Sequence, residues 1–263
     1  MSSLSLKEGW NRKSENYQRR MRIPTEDVYW GEFVAPESRL GILGNVQRKR
    51  VLEIGCGGAQ NSIALAKRGA QVCAVDLSRK QVLYGKKLVK DDMVDVRLVV
   101  GDMERLPFKD QVFDLVITAI SLQYVPNLKS TVAEVNRILT KHGYFTFSDI
   151  HPLSQGKLVR YRGKPAVMIR EYFRRRIIRW VDKLQDGSRV RMHSYYRTLQ
   201  DYFDSLAANG FAVERYVELE RLKKERLHAL DLEDIAKRRD ARKLYRFMKE
   251  VPYWFVLKAH KTS

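Results

Sequence analysis

The segment 51–78, VLEIGCGGAQNSIALAKRGAQVCAVDLS, constrains the fold of this chain more than any other. An apolar strand ends in an acid, a glycine-rich turn and an amphipathic helix follow, and a second strand ends in another acid. Glycines at 55, 57 and 58 let the backbone turn sharply and approach a ligand closely, because no Cβ stands in the way. Around this unit, Arg50 to Ile54 is the expected first strand, Ala59 to Arg68 a helix stopped by Gly69, and Gln71 to Val75 the second strand. Ser78 with Gln81 fits a capping box that opens the next helix. Val96 to Val100, Val112 to Thr118 and Gly143 to Asp149 follow as strands. Before the last of them, Leu128, Val132, Val135 and Leu139 mark a helix face.

Alternation of this kind predicts an α/β fold: a doubly wound, mostly parallel, seven-stranded Rossmann-like sheet with a C-terminal hairpin and helical lid. Beyond residue 150 the alternation is lost. Tyr172 to Leu184 and Arg189 to Tyr196 flank an Asp186-Gly187 turn and predict a β-hairpin. Thr198 with Asp201 caps a helix carrying Leu199, Tyr202, Phe203 and Leu206, which ends at Asn209-Gly210. Ala212 to Leu219 and Tyr253 to Ala259 complete the expected sheet. Between them, residues 221–249 read as charged and helical, with Leu232, Ile235, Leu244 and Phe247 on one stripe.

A chain of 263 residues with 44% apolar side chains can bury one large core. No stretch approaches the roughly 20 apolar residues that span a bilayer, and the opening segment lacks the apolar run of a signal peptide, so the expectation is a soluble, cytoplasmic protein. Cys56 and Cys73 stand in apolar segments without metal spacing, which suggests neither a disulfide framework nor a zinc site. The formal charge of +19 is uneven: residues 1–150 hold 23 basic and 17 acidic side chains, an excess of +6, and residues 151–263 hold 27 and 14, an excess of +13. Such a field raises the local concentration of anionic partners, whether nucleic acid, a membrane surface or a phosphorylated small molecule.

The pattern Glu53-x-Gly55-x-Gly57-Gly58 is not the G-x-G-x-x-G of a pyrophosphate site, and no P-loop Lys-Ser/Thr pair follows it. Asp76, at the tip of the second strand, stands where doubly wound folds place a carboxylate that accepts hydrogen bonds from ribose hydroxyls. Residues 51–149 resemble the class I S-adenosylmethionine-dependent methyltransferases of the ubiquinone and menaquinone biosynthesis type. VLEIGCG is similar to their first motif, AVDLS to the second, and the run from GDMERLPF to GYFTFS to the remainder of the cofactor-binding half.

That resemblance implies S-adenosylmethionine as cofactor. It places Glu53, Gly55 and Gly57 around the methionine part, counts Cys56 between them among the cofactor-binding residues, and puts Asp76 on the ribose, Leu77 on the adenine face, Asp102 and the Met103 backbone at the adenine amino group, and Ala119 near the sulfonium. WNRKSENYQ, YWGEFVAPE, SDIHP and PYWFVLKAHK also resemble a less characterised branch of these enzymes, in which the N-terminal segment folds over the cofactor. This implies Tyr17 and Trp30 as cofactor or substrate contacts. The branch carries a histidine where this chain has Tyr196. The implied organisation is a covering segment 1–45, a cofactor-binding core 46–150, and a C-terminal part 151–263 in which 151–196 and 221–249 form a substrate lid while 197–220 and 250–263 complete the sheet.

Methyl transfer from a sulfonium needs donor and acceptor held in line in a dry site, and no acid or base is obligatory. For a hydroxyl acceptor a base would help. His151, just after the fifth strand, and Tyr124, after the fourth, are the candidate catalytic residues, Tyr124 through its ring facing a cation. Three functions fit: transfer to a small-molecule acceptor, an anionic one suiting the charge; transfer to RNA or protein through the basic, aromatic-rich segment 157–191; or cofactor binding without transfer. The fourth strand ends in ITAISLQY and lacks the Asn-Pro-Pro-Tyr type of motif associated with methylation of exocyclic amino groups.

Overall fold

The computed structural model describes residues 3–262. The N-terminal segment holds helices α1 (Ser3–Met21) and α2 (Glu37–Leu40), after which strands and helices alternate: β1 (Arg50–Ile54), α3 (Gln60–Lys67), β2 (Gln71–Asp76), α4 (Arg79–Asp91), β3 (Val96–Val100), β4 (Phe113–Ala119), α5 (Leu128–Ile138) and β5 (Leu139–Ile150). Two hairpins come next, β6 (Lys157–Tyr161) with β7 (Lys164–Met168) and β8 (Ile177–Lys183) with β9 (Arg189–Tyr195). The chain ends in α6 (Leu199–Ala207), β10 (Phe211–Leu219), α7 (Ala229–Lys237), α8 (Arg239–Phe247) and β11 (Trp254–Lys261).

The main sheet has seven strands in the order β10-β11-β5-β4-β1-β2-β3. Strands β1 to β5 run parallel, and β11 lies antiparallel between β5 and β10. This is a doubly wound, Rossmann-like architecture with an antiparallel strand inserted near one edge. Both faces are covered, so successive strand residues alternate between two cores. Val51, Leu115 and Ile117 pack with Ala64 and Leu65 of α3, whereas Leu52, Ile54 and Val116 pack with Val132 and Val135 of α5 and Leu206 of α6. Ser78 caps α4 by accepting from the Gln81 backbone N–H at 3.2 Å, and Thr198 with Asp201 forms the capping box of α6.

The structure departs from the sequence expectations in three places. Residues 3–21 form a long helix, and 157–168 form a hairpin that the sequence pattern does not announce. Residues 221–249 are helical, but they brace the N-terminal segment instead of closing over the sheet. Arg22 pairs with Glu233 at 2.9 Å and Asp234 at 2.8 Å, Arg20 reaches Asp240, and Tyr245 stacks edge-on against Phe33 at 5.6 Å. No helix among the described residues is long and apolar enough to cross a membrane.

Residues 28–46 are fixed by one fully buried carboxylate. Glu37 accepts from the Trp30 indole N–H at 3.0 Å and from the Leu43 backbone N–H at 2.7 Å, and burial raises its pKa. Replacing Glu37 by Ala would strand two buried donors, so the substitution should lower stability by about 3 kcal/mol. Urea unfolding of Glu37→Ala beside the parent protein measures this, with a lower midpoint and an unchanged slope expected.

Candidate functional site

A cavity of about 400 Å³ opens at the C-terminal ends of the parallel strands. Open α/β sheets bind their ligands here because the turns leaving the strands diverge. Its floor is the turn after β1. Gly55 and Gly57 both adopt left-handed conformations, φ +66° and +54°. A Cβ on Gly55 would come within 2.5 Å of Ser121 Oγ, so only glycine lets the turn pass beneath the end of β4. Asp76 clamps the same turn, with Oδ2 accepting from Gly57 N–H and Oδ1 from Ser78 N–H, each at 2.8 Å.

Helix α1 forms the opposite wall, and a chain of amides holds it there. Gln60 Nε2 donates to Gln18 Oε1 at 2.6 Å, and Gln18 Nε2 donates to Gln81 Oε1 at 2.7 Å, tying α1 to the starts of α3 and α4. Asn11 Oδ1 accepts from Ser78 Oγ at 2.8 Å and from Lys80 N–H at 3.1 Å. This approach places Leu6, Trp10, Tyr17 and Met21 on the cavity. Trp10 meets Tyr17 and Tyr124 edge to face, both at 5.3 Å. From the other side β8 and β9 contribute Ile178, Trp180, His193, Ser194 and Tyr195.

Of the residues singled out from the sequence, Tyr17, Glu53, Gly55, Cys56, Gly57, Asp76, Leu77, Asp102, Met103, Ala119 and Tyr124 all line this one cavity. Trp30 and His151 are corrections. Trp30 is fully buried away from the cavity with its indole bound to Glu37, and its neighbours Tyr29 and Glu32 face the cavity instead. His151 is buried with Nδ1 accepting from Leu153 N–H at 3.2 Å, and its Nε2 lies 3.2 Å from Glu218 Oε1 without hydrogen-bond geometry. It turns the chain before Pro152 and does not reach the main cavity. Residues 221–249 contribute nothing to the lining, whereas 178–195 do.

The charge inside the cavity is opposite to that of the whole chain. Glu32, Glu53, Asp76, Asp102 and Glu104 line it, and among the described residues no Lys or Arg does. The +19 excess therefore lies outside this lining. Burial pushes the Glu53 carboxyl up to about 7 against a bond from Ser62 Oγ at 2.5 Å, and pushes Asp76 up to about 6. Neither forms a salt bridge with a described residue. Two buried carboxylates beside a glycine cradle, with no Lys or Arg paired to them among the described residues, suit a ligand bringing an ammonium group and ribose hydroxyls, so S-adenosylmethionine fits this end of the cavity.

Fold and site together define a class I S-adenosylmethionine-dependent methyltransferase domain. Residues 52–147 match the family model described as "Methyltransferase domain". Over 110 residues the chain is 33% identical to a fatty-acid O-methyltransferase of Mycolicibacterium smegmatis, covering 41% of this chain and 39% of that protein. Over 97 residues it is 37% identical to a demethylmenaquinone methyltransferase of Staphylococcus saprophyticus, covering 36% and 41%. The chain thus spans under half the length of these curated relatives. An S-adenosylmethionine-dependent methyltransferase structure from Mesorhizobium loti superposes with a TM-score of 0.64 at 21% identity, covering 85% of this chain and 96% of that one, a likeness of fold.

The raised carboxyls set a pH dependence. In the free protein Glu53 and Asp76 hold protons that the unfolded chain releases near the ordinary carboxylate range, and the stability this gives is lost as pH rises through about 6 to 7. A ligand bearing a cation and hydroxyl donors favours the carboxylate forms, so its binding expels protons. S-adenosylmethionine affinity should therefore rise between about pH 5 and about pH 8. Calorimetry in buffers of different ionisation enthalpy should show proton release near neutral pH, and none if these carboxyls are ionised beforehand.

Proposed function

We propose that the chain transfers the methyl group of S-adenosylmethionine to an uncharged, largely apolar small molecule. The carrying observation is that one cavity joins the glycine turn and Asp76 to a wall of Trp10, Tyr124, Trp180, Tyr195 and Trp254. The cofactor supplies an electrophilic methyl on a positive sulfur, and the chain's own residues bind, align and dry the two reactants. Aromatic side chains from α1, the turn after β4, β8, β9 and β11 exclude water, the condition under which in-line displacement is fast. The carboxylates along the cavity repel a phosphate or carboxylate on the acceptor, which disfavours RNA. The demethylmenaquinone enzyme among the relatives has a name that points to an apolar acceptor without a free acid, in keeping with this reading.

Burial raises the Tyr124 phenol, so it stays protonated and serves as a wall and a π face. Where the acceptor is a hydroxyl, His193 replaces His151 as the group to take its proton. It is buried on the cavity, and burial lowers its pKa, leaving a neutral imidazole at neutral pH.

Two measurements test this reading. Asp76→Ala removes both the clamp on Gly57 and the ribose acceptor, and calorimetry should show S-adenosylmethionine affinity at least about tenfold weaker; unchanged affinity would reject the site. Methyl-labelled S-adenosylmethionine incubated with cell extract should label the solvent-extractable small-molecule fraction, and label confined to RNA or protein would reject the acceptor class. For a hydroxyl acceptor, His193→Gln should lower kcat by about 100-fold with little change in cofactor affinity and should flatten the acid limb of the rate profile.

A further inference from the structure

Gln155 and Ile178 both line the cavity, and between them the chain leaves the body of the protein as the β6–β7 hairpin and the turn that follows. Lys157 to Tyr161 pair with Met168 to Lys164, and no third strand joins the ribbon. Val159 and Val167 are half-buried, but other apolar side chains are uncovered: Leu158 is 41% exposed, Tyr161 64%, Met168 42%, and Phe173 in the following turn 78%. Residues 157–176 carry eight basic side chains and one acidic one. Glu171 is taken by Arg174 at 2.7 Å and Arg175 pairs with Asp201 at 2.7 Å. Among the described residues, Arg160, Arg162, Lys164 and Arg170 have no such carboxylate partner.

We propose that this hairpin docks the protein on an anionic membrane surface, with the cavity opening toward the bilayer. Guanidinium and ammonium groups there would meet lipid phosphates, while Tyr161, Phe173, Leu158 and Met168 enter the interface, where aromatic and aliphatic side chains among cations are stable. Guarding the ribbon edges against aggregation accounts for Lys164 and Pro165 but not for a phenylalanine left four-fifths in solvent. RNA fits less well. A nucleic-acid groove needs stacking faces along a continuous cationic track, whereas aliphatic Leu158 and Met168 interrupt this surface and the adjoining cavity is lined by carboxylates. Docking does not depend on methyl transfer, and its test reads binding alone.

Flotation of the full chain with phosphatidylcholine–phosphatidylglycerol vesicles, against phosphatidylcholine vesicles alone, should recover the protein only with the anionic ones. The variant Arg160→Glu, Arg162→Glu, Lys164→Glu should weaken that binding by at least about fivefold for each charge replaced. Tyr161→Ser with Phe173→Ser should weaken it further at high salt, where screening leaves the apolar contacts dominant. None of these residues lines the cavity, so cofactor affinity in both variants should match the parent and would show the fold intact. The proposal is overturned if the parent ignores anionic vesicles, if both variants bind them like the parent, or if the chain binds RNA with steep salt dependence while leaving vesicles alone.

Discussion

The clamp that Asp76 places on the glycine turn is the constraint on which the site depends. One carboxylate accepts from Gly57 N–H and from Ser78 N–H, joining the turn after β1 to the start of α4. These two segments leave neighbouring strands and would otherwise diverge. Because the clamp is buried and has no cation, its ionised form is costly until a ligand supplies hydrogen-bond donors. The same bonds that shape the turn thus leave a demand that the ligand satisfies, and Glu53, bound by Ser62, repeats this arrangement nearby.

Closure of the cavity joins an apolar cluster of Leu6, Val190 and Met192 to a set of polar contacts along α1. The Gln60–Gln18–Gln81 amides and Asn11 fix the height of α1 above the glycine turn. Its other end is held by Arg20 and Arg22 against the acids of α7 and α8. The molecule therefore separates its charges, with carboxylates along the cavity and cations on the outer surfaces. Net charge described the exterior of this protein and misled about its interior.

The parallel strands were legible because each is a short apolar run with a turn residue at its end, and Glu53 and Asp76 because strand tips in such sheets have a fixed chemical meaning. Trp30 was misassigned because an aromatic residue in an apolar run has the same signature whether it meets a ligand or a buried acid. Only the Glu37 partner, seven residues on, distinguishes them. Helix α1 escaped notice because its composition is polar, although Leu6, Trp10, Tyr17 and Met21 recur at helical spacing and mark the cavity-facing stripe. The β6–β7 hairpin has no buried face, hence no alternation to detect. The bracing role of 221–249 depends on Arg20 and Arg22, partners remote in the chain, and sequence periodicity carries no trace of such pairings.

The position of β11 has a consequence for how the molecule assembles. Strands β1 to β5 form one contiguous block in which every pairing except β1 with β4 joins strands consecutive in the chain, so this block can form from contacts that are mostly near in sequence. Strand β10 pairs only with β11, and β11 must fit between β10 and β5. Until residues 254–261 arrive, the apolar edge of β5, with Phe145 and Phe147 beside it, and the edge of β10 both stand open to unintended pairing. The late strand thus acts as a keystone, and the folding intermediate most exposed to aggregation is the one still waiting for it.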